Sequence, residues 1–226
     1  MPAALRLLDP VLDPVRDRLC ARLLPGRLVE LSGPTEGGGG TARTSTALAV
    51  LRHAQANGET TAWIQPRDGT LFAPDLQEAG LDLEALVVVH VGTTPLLHGL
   101  CKAAELLLRS GALGLVVVDL TAIAELGGET RSTATTALAA WLGRMQGLAR
   151  QHDSRVLLLT EKPTHADSLG TLVSVRIESR RHREPHTPSG RAPGDFVVEH
   201  QVIKNKSGAP FDVVFDRYRS PDGLGH

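Results

Sequence analysis

The stretch at residues 27–40, RLVELSGPTEGGGG, decides the fold because an apolar strand runs directly into a glycine-rich turn. Residues 41–57 follow with apolar side chains at helical spacing and end at Asn57-Gly58. A strand, a glycine-rich turn and a helix in this order bring backbone N–H groups and a helix N-terminus together, which favours an anion. The stretch therefore predicts a phosphate-binding arrangement inside an α/β fold.

The rest of the chain continues this alternation of strands and helices. Strands are predicted at 27–31, 60–65, 86–91 (LVVVHV), 115–120 (LVVVDL) and 155–160 (RVLLLT), and helices at 95–110 and about 133–152. Uninterrupted apolar strands separated by amphipathic helices are typical of a parallel sheet that is buried on both faces. Three further strands, predicted at 171–177, 195–204 and 209–215, have no helices between them. We expect them to extend the sheet as antiparallel edge strands.

The composition excludes several classes of protein. Of the 226 residues, 42% are hydrophobic and 22% are charged, which is typical of a folded chain. The net charge of −1 excludes a generally basic nucleic-acid coat, although not a local basic patch, and 3% aromatic residues provide few stacking platforms for bases. No apolar run approaches the roughly 18 residues of a membrane span. With only two cysteines, a cytoplasmic protein without a membrane partner is expected.

The glycine-rich turn lacks the side chains that bind a nucleotide. In the motif G-x-x-x-x-G-K-[ST], the lysine contacts the β- and γ-phosphates and the hydroxyl binds Mg²⁺. Gly33 and Gly38 fit the two outer glycines, but Gly39 and Gly40 occupy the lysine and hydroxyl positions. Thr41 would supply a hydroxyl only in a slipped register. We expect a vestigial, empty phosphate site; the alternative is weak anion binding by the backbone alone.

Four stretches together resemble the RecA recombinase family. They are GRLVELSGP at 26–34, RSGALGLVVVDL at 109–120, SVRIESRR at 174–181 and VIKNKSGAPF at 202–211. The resemblance extends in order from about residue 26 to residue 218. It implies a RecA-like core at 26–219, with a mostly parallel twisted sheet flanked by helices and antiparallel strands at the C-terminal edge. A poorly defined segment at 1–25 and a tail at 220–226 complete the chain.

The same resemblance implies that ATP hydrolysis is lost. Asp119 matches the metal-associated aspartate of the family. Arg67, however, lies at the position of the glutamate that activates water, and a guanidinium is no base. Glu161 lies where the family has a glutamine that senses the γ-phosphate. We therefore expect no enzyme, no bound metal and weak or absent binding of ATP and Mg²⁺. A slow DNA-stimulated ATPase is the alternative.

The regions that bind DNA in the family are reduced here. The two DNA-binding loops correspond to 122–135 and a much shorter 162–170, whose remaining cations, Arg131 and Lys162, we expect to be solvated surface charges. An independent DNA-binding module with salt-dependent affinity is a further hypothesis. Its candidate residues lie in or next to the basic stretch RIESRRHREPH at 176–186: Arg176, Arg180, Arg181 and Arg183, with Arg131 from the first loop.

A RecA-like core with these losses resembles the ImuA family, which comprises accessory proteins of a damage-induced mutagenesis cassette. This resemblance implies a non-catalytic role in SOS translesion synthesis, with an inactive polymerase-like partner (ImuB) and an error-prone polymerase. Lys204, Asn205 and Lys206 match a hairpin whose lysines reach the neighbouring subunit's nucleotide in RecA filaments. We hypothesise that these residues dock on an active RecA subunit in trans. The alternative is a solvent-exposed charge cluster.

Overall fold

The computed structural model of the protein describes residues 25–33, 40–69, 71–92, 95–123, 126, 134–183, 196–206 and 213–218. Its strands are β1 (Leu28–Gly33), β2 (Gly40–Thr41), β3 (Thr61–Pro66), β4 (Leu86–Val91), β5 (Leu115–Asp119), β6 (Arg155–Glu161), β7 (Val173–Arg183), β8 (Phe196–Asn205) and β9 (Val214–Tyr218). Its helices are α1 (Arg43–Ala56), α2 (Ala73–Glu78), α3 (Leu96–Arg109) and α4 (Ala134–Gln151).

Within these described ranges the strands form one nine-stranded sheet. The order is β4-β3-β5-β6-β1-β7-β8-β9, and β2 pairs with β7 outside this path. All neighbours from β4 to β7 are parallel, whereas β8 and β9 are antiparallel additions. The predicted mixed sheet is confirmed, with one correction. β7 pairs parallel with β1, because the segment at 162–172 carries the chain across β1 without a helix.

The helices cover both faces of the sheet, as the apolar strands predicted. α1 and α2 pack on one face through Ala47, Val50 and Leu76, which join alternate residues of the strands in one apolar cluster. α3 and α4 cover the other face, where Trp141 and Met145 are almost completely buried. Because successive side chains of a strand point to opposite faces, a strand in this position buries both sets.

The carboxyl ends of the central parallel strands meet at one edge of the sheet. Gly33 at the end of β1 is the register partner of Glu161 at the end of β6, and Asp119 at the end of β5 pairs with Leu159. In open α/β sheets this edge is where ligands bind. The residues that the sequence singled out in the glycine-rich turn, in LVVVDL and after the fifth predicted strand therefore lie at a common edge.

The two ends of the chain lie largely outside the described residues. The expected N-terminal segment at 1–25 and the tail at 220–226 fall almost entirely outside the described residues, so the domain boundaries stay predictions. None of the described helices combines the length and the apolar character needed to cross a membrane.

Candidate functional site

The glycine-rich turn does not lead directly into a helix. Gly40 and Thr41 form the short strand β2, which pairs antiparallel with Arg181 and Arg180 of β7, and α1 begins only at Arg43. A phosphate-binding loop requires backbone N–H groups and the helix N-terminus to converge on one anion. Gly40, at the hydroxyl position of the motif, and Thr41, the candidate hydroxyl of the slipped register, thus lie in an extended strand before the helix begins.

Side chains of the protein itself fill the space beside Gly33. A methyl group on this glycine would collide with Thr41 Oγ1 and would lie 3.0 Å from Arg43 Nη1. The absence of a side chain at Gly33 thus accommodates Thr41 and Arg43. Of the predicted phosphate-site glycines, Gly38 and Gly39 lie outside the described residues.

Arg43 is a buried charged residue at this edge that sequence reasoning missed. Its Nη2 donates to Glu161 Oε2 at 2.7 Å in an ion pair, and the arginine side chain is only 10% exposed. Glu161 lies beside Gly33 in the β1–β6 register, so the pair closes the carboxyl edge at β1 and β6. Arg43 Nη1 is buried and has no hydrogen-bond acceptor among the described residues. The sequence signal that could have found it is Gly37-x-x-x-x-Ala42-Arg43-Thr44, which has the spacing of G-x-x-x-x-G-K-[ST] with arginine in place of lysine.

Asp119 has a local role at the same edge. Its Oδ1 accepts hydrogen bonds from the backbone N–H of Thr121 at 3.0 Å and from Thr121 Oγ1 at 2.6 Å. The carboxylate thus caps the turn after β5. The described part of the chain contains no group of three or more His, Cys, Asp or Glu side chains placed to bind a metal. Arg67 is exposed after β3.

A buried ion pair fixes the loop after β6. Lys162 is 2% exposed and Glu30 of β1 is completely buried, so Lys162 is not the solvated surface charge that we expected. Glu30 Oε1 accepts from Lys162 Nζ and from Thr160 Oγ1, both at 2.9 Å, and Oε2 accepts from the Leu169 N–H at 2.9 Å. Burial lowers the pKa of Lys162, and the Glu30 carboxylate opposes this shift.

Arg176 fixes the same loop from β7. Its side chain is completely buried, and its guanidinium donates to Ser32 Oγ at 3.1 Å, to the Pro163 carbonyl at 2.9 Å and to the Ala166 carbonyl. Its role as a DNA contact is therefore wrong, because all three nitrogens are hydrogen-bonded inside the protein. The buried guanidinium thus connects β7 to the loop after β6 through hydrogen bonds to backbone carbonyl groups.

The remaining candidate arginines are separated from one another. Arg180 forms an ion pair with the buried Glu178 and donates to Thr164 Oγ1 at 2.8 Å, so it also anchors the loop. Arg181 is exposed on β7. The side chain of Arg183 and the whole of Arg131 lie outside the described residues. Among the described arginines, the structure gathers no DNA-binding patch.

The hairpin lysines complete this set of contacts. Lys204 Nζ donates to Ser168 Oγ at 2.6 Å and to the Gly170 carbonyl at 2.9 Å, and Lys206 Nζ donates to the Thr171 carbonyl. Burial and the neighbouring Lys206 ammonium both lower the pKa of Lys204. Asn205 ends β8 and pairs with Val175. The lysines thus hold the segment at 168–171 within their own chain.

Comparison with known proteins identifies the fold. No protein-family model matches the chain. The chain is similar to the crystal structure of the RadB recombinase, with a TM-score of 0.60 and 19% sequence identity. The similarity covers 87% of this chain and 91% of that chain. It confirms the predicted RecA-like core with its mostly parallel sheet and antiparallel C-terminal strands.

Proposed function

We propose that this RecA-like core is a non-catalytic accessory protein of DNA damage tolerance that acts through protein–protein contacts in translesion synthesis. The observation that supports the proposal is the set of contacts beside Gly33, where the glycine-rich turn begins. Thr41 and Arg43 fill the space beside Gly33, and Glu161 neutralises Arg43 at the carboxyl edge of the sheet. A RecA-like core closed in this way would act as a scaffold.

These contacts argue against the alternative of a slow ATPase. A triphosphate placed beside Gly33 would meet the Glu161 carboxylate, which repels it, and would have to displace that carboxylate from Arg43. Phosphoryl transfer depends almost entirely on positioning and on electrostatic stabilisation of the transferred group. The buried cation beside Gly33, Arg43, is paired with Glu161, and Arg67 cannot replace the missing base.

The contacts of the loop at 162–171 argue against the alternative of a DNA-binding module. Its lysine and the arginines that face it are engaged within the protein, as are Lys204 and Lys206. A cation that is held by internal carbonyl groups contributes little to counterion release from DNA. We therefore propose that this loop is held in place by contacts within the protein and does not bind DNA.

The partners follow from the resemblance to the ImuA family and are part of the proposal. They are an inactive polymerase homologue of the ImuB type, an error-prone polymerase and the RecA filament. If Lys204 and Lys206 contact RecA in trans, they must first lose their hydrogen bonds within this protein. Both ammonium groups would have to leave the segment at 168–171 before they could reach another subunit.

The test is sedimentation velocity of the purified full chain mixed with an ImuB-type polymerase homologue, with and without Mg²⁺-ATP. A complex that forms without nucleotide and whose sedimentation does not change when ATP is added is expected. A complex that requires ATP would overturn the non-catalytic role, because nucleotide would then control assembly. Failure to form a complex in either buffer would overturn the translesion assignment.

A further inference from the structure

Three of the four lysines of the chain converge on one short segment of backbone, residues 167–171. Each donates to a carbonyl group of this segment, and the three are Lys162, Lys204 and Lys206. The fourth, Lys102, is exposed on α3. Ammonium groups that lie close together repel one another, which favours the loss of a proton from one of them. The arrangement thus favours a free amine within this group of lysines.

Lys204 is the member of the group that is both accessible and crowded by charge. Lys162 is buried and paired with the Glu30 carboxylate, whereas Lys206 is exposed after β8. Lys204 is half-buried, and burial together with the Lys206 ammonium lowers its pKa. The other charged groups that face it are Glu30 of β1, Lys162 and Asp167 of the loop after β6, and Arg176, its register partner on β7. The two carboxylates oppose the fall in pKa.

The contacts of Lys204 are ones that a free amine can keep. Its Nζ donates to Ser168 Oγ at 2.6 Å and to the Gly170 carbonyl at 2.9 Å. An ammonium group has three N–H donors, whereas a neutral amine has two N–H donors and one lone pair. Loss of one proton therefore preserves both hydrogen bonds and frees the lone pair to attack an electrophile. A lysine beside a second cation is activated as a nucleophile in this way.

We propose that Lys204 is a site of acylation by an anionic activated acyl donor of the acyl phosphate class, and that acylation releases the segment at 168–170. The amine lone pair forms a C–N bond with the acyl carbon, and the C–O bond to phosphate breaks with its electron pair going to inorganic phosphate. The proton of the amine goes to solvent. The groups around Lys204 include more cations than carboxylates, so they attract an anionic donor.

The amide product cannot replace the amine at this position. An acylated lysine is uncharged and has a single N–H donor, so it satisfies either Ser168 Oγ or the Gly170 carbonyl but not both. The loop after β6 then loses a contact that holds it against the sheet. This inference goes beyond the proposed function and does not depend on a translesion role.

The experiment treats the folded full chain with acetyl phosphate at about pH 8 and measures the acetylation rate of each lysine by peptide mass spectrometry. The exposed Lys102 is the internal reference. Lys206→Met removes the neighbouring ammonium, and the matched control Arg109→Met removes an exposed cation of α3. Hydrogen exchange of the backbone at 168–171 is compared before and after acetylation.

We expect Lys204 to react at least about threefold faster than Lys102, because each unit by which a pKa falls raises the free-amine fraction about tenfold, although the weaker base is a slower nucleophile. Lys206→Met should slow the reaction of Lys204, Arg109→Met should not, and exchange at 168–171 should rise after acetylation. Equal rates at Lys204 and Lys102 would refute the site. A rate at Lys204 that is unchanged in Lys206→Met would refute the lysine group as its cause. Unchanged exchange after acetylation would refute the release of the segment.

Discussion

Replacing Lys162 with methionine should destabilise the protein severely, because the buried Glu30 carboxylate would lose its ion-pair partner and keep only the more distant Lys204 as a cation. Glu30 is completely buried, and besides Lys162 its oxygens have only Thr160 Oγ1 and the Leu169 N–H as hydrogen-bond donors among the described residues. Removing one partner of such a pair costs about 3–5 kcal/mol. For a chain of this length that corresponds to a fall in the thermal midpoint of roughly 6–20 °C.

Removing both charges should cost less than removing the lysine alone. In Glu30→Gln/Lys162→Met, the glutamine amide keeps partners at Thr160 and at Leu169, and neither charge of the pair stays buried. Urea unfolding of the two single variants and the double variant gives the coupling free energy. The matched control is Arg109→Met, which breaks a pair whose arginine is 55% exposed, for an expected loss of at most about 1 kcal/mol. If Lys162→Met costs no more than this control, the buried pair does not hold the loop.

Two further predictions concern the hairpin lysines and the half-buried thiol of Cys101. If Lys204 and Lys206 act in trans, Lys204→Ala/Lys206→Ala should abolish binding to RecA–DNA filaments in co-sedimentation. The control Ser168→Ala, which only loosens the loop, should preserve this binding. Equal binding by all forms would refute the hypothesis. Burial raises the pKa of Cys101 to about 12, so in a Cys20→Ser background its alkylation at neutral pH should be roughly 1,000-fold slower in the folded than in the unfolded chain. Rapid alkylation of the folded protein would contradict this burial.

The sequence predicted the core well because burial on both faces leaves a simple pattern. The run LVVVHV became β4 with the predicted bounds, Leu86–Val91, and the alternation with helices predicted the parallel sheet. The two-residue strand β2 and the six-residue helix α2 were not predicted, since elements this short have no periodicity. The parallel direction of β7 was also missed, because a crossover without a helix reads like a hairpin connection.

The candidate site was predicted less well because charged residues carry no sequence signal for burial. Arg176 and Lys162 look like surface cations in the sequence, yet both are buried. Arg176 contacts the Pro163 carbonyl of the loop after β6, and Lys162 contacts Glu30 of β1. The pair of Arg43 and Glu161 depends on the β1–β6 register, which only the fold determines. Substitution of the nucleotide-binding residues was visible in the motif, whereas the contacts of Thr41, Arg43 and Glu161 beside Gly33 were not.

The proposed function depends on a phosphate site that does not bind nucleotide, and calorimetric titration of Mg²⁺-ATP into the wild-type full chain tests this most directly. Because a triphosphate would have to displace Glu161 from Arg43, we expect no saturable heat. Saturable binding with a micromolar dissociation constant, which corresponds to about −8 kcal/mol, would contradict the account. The glycine-rich turn would then bind nucleotide without its lysine.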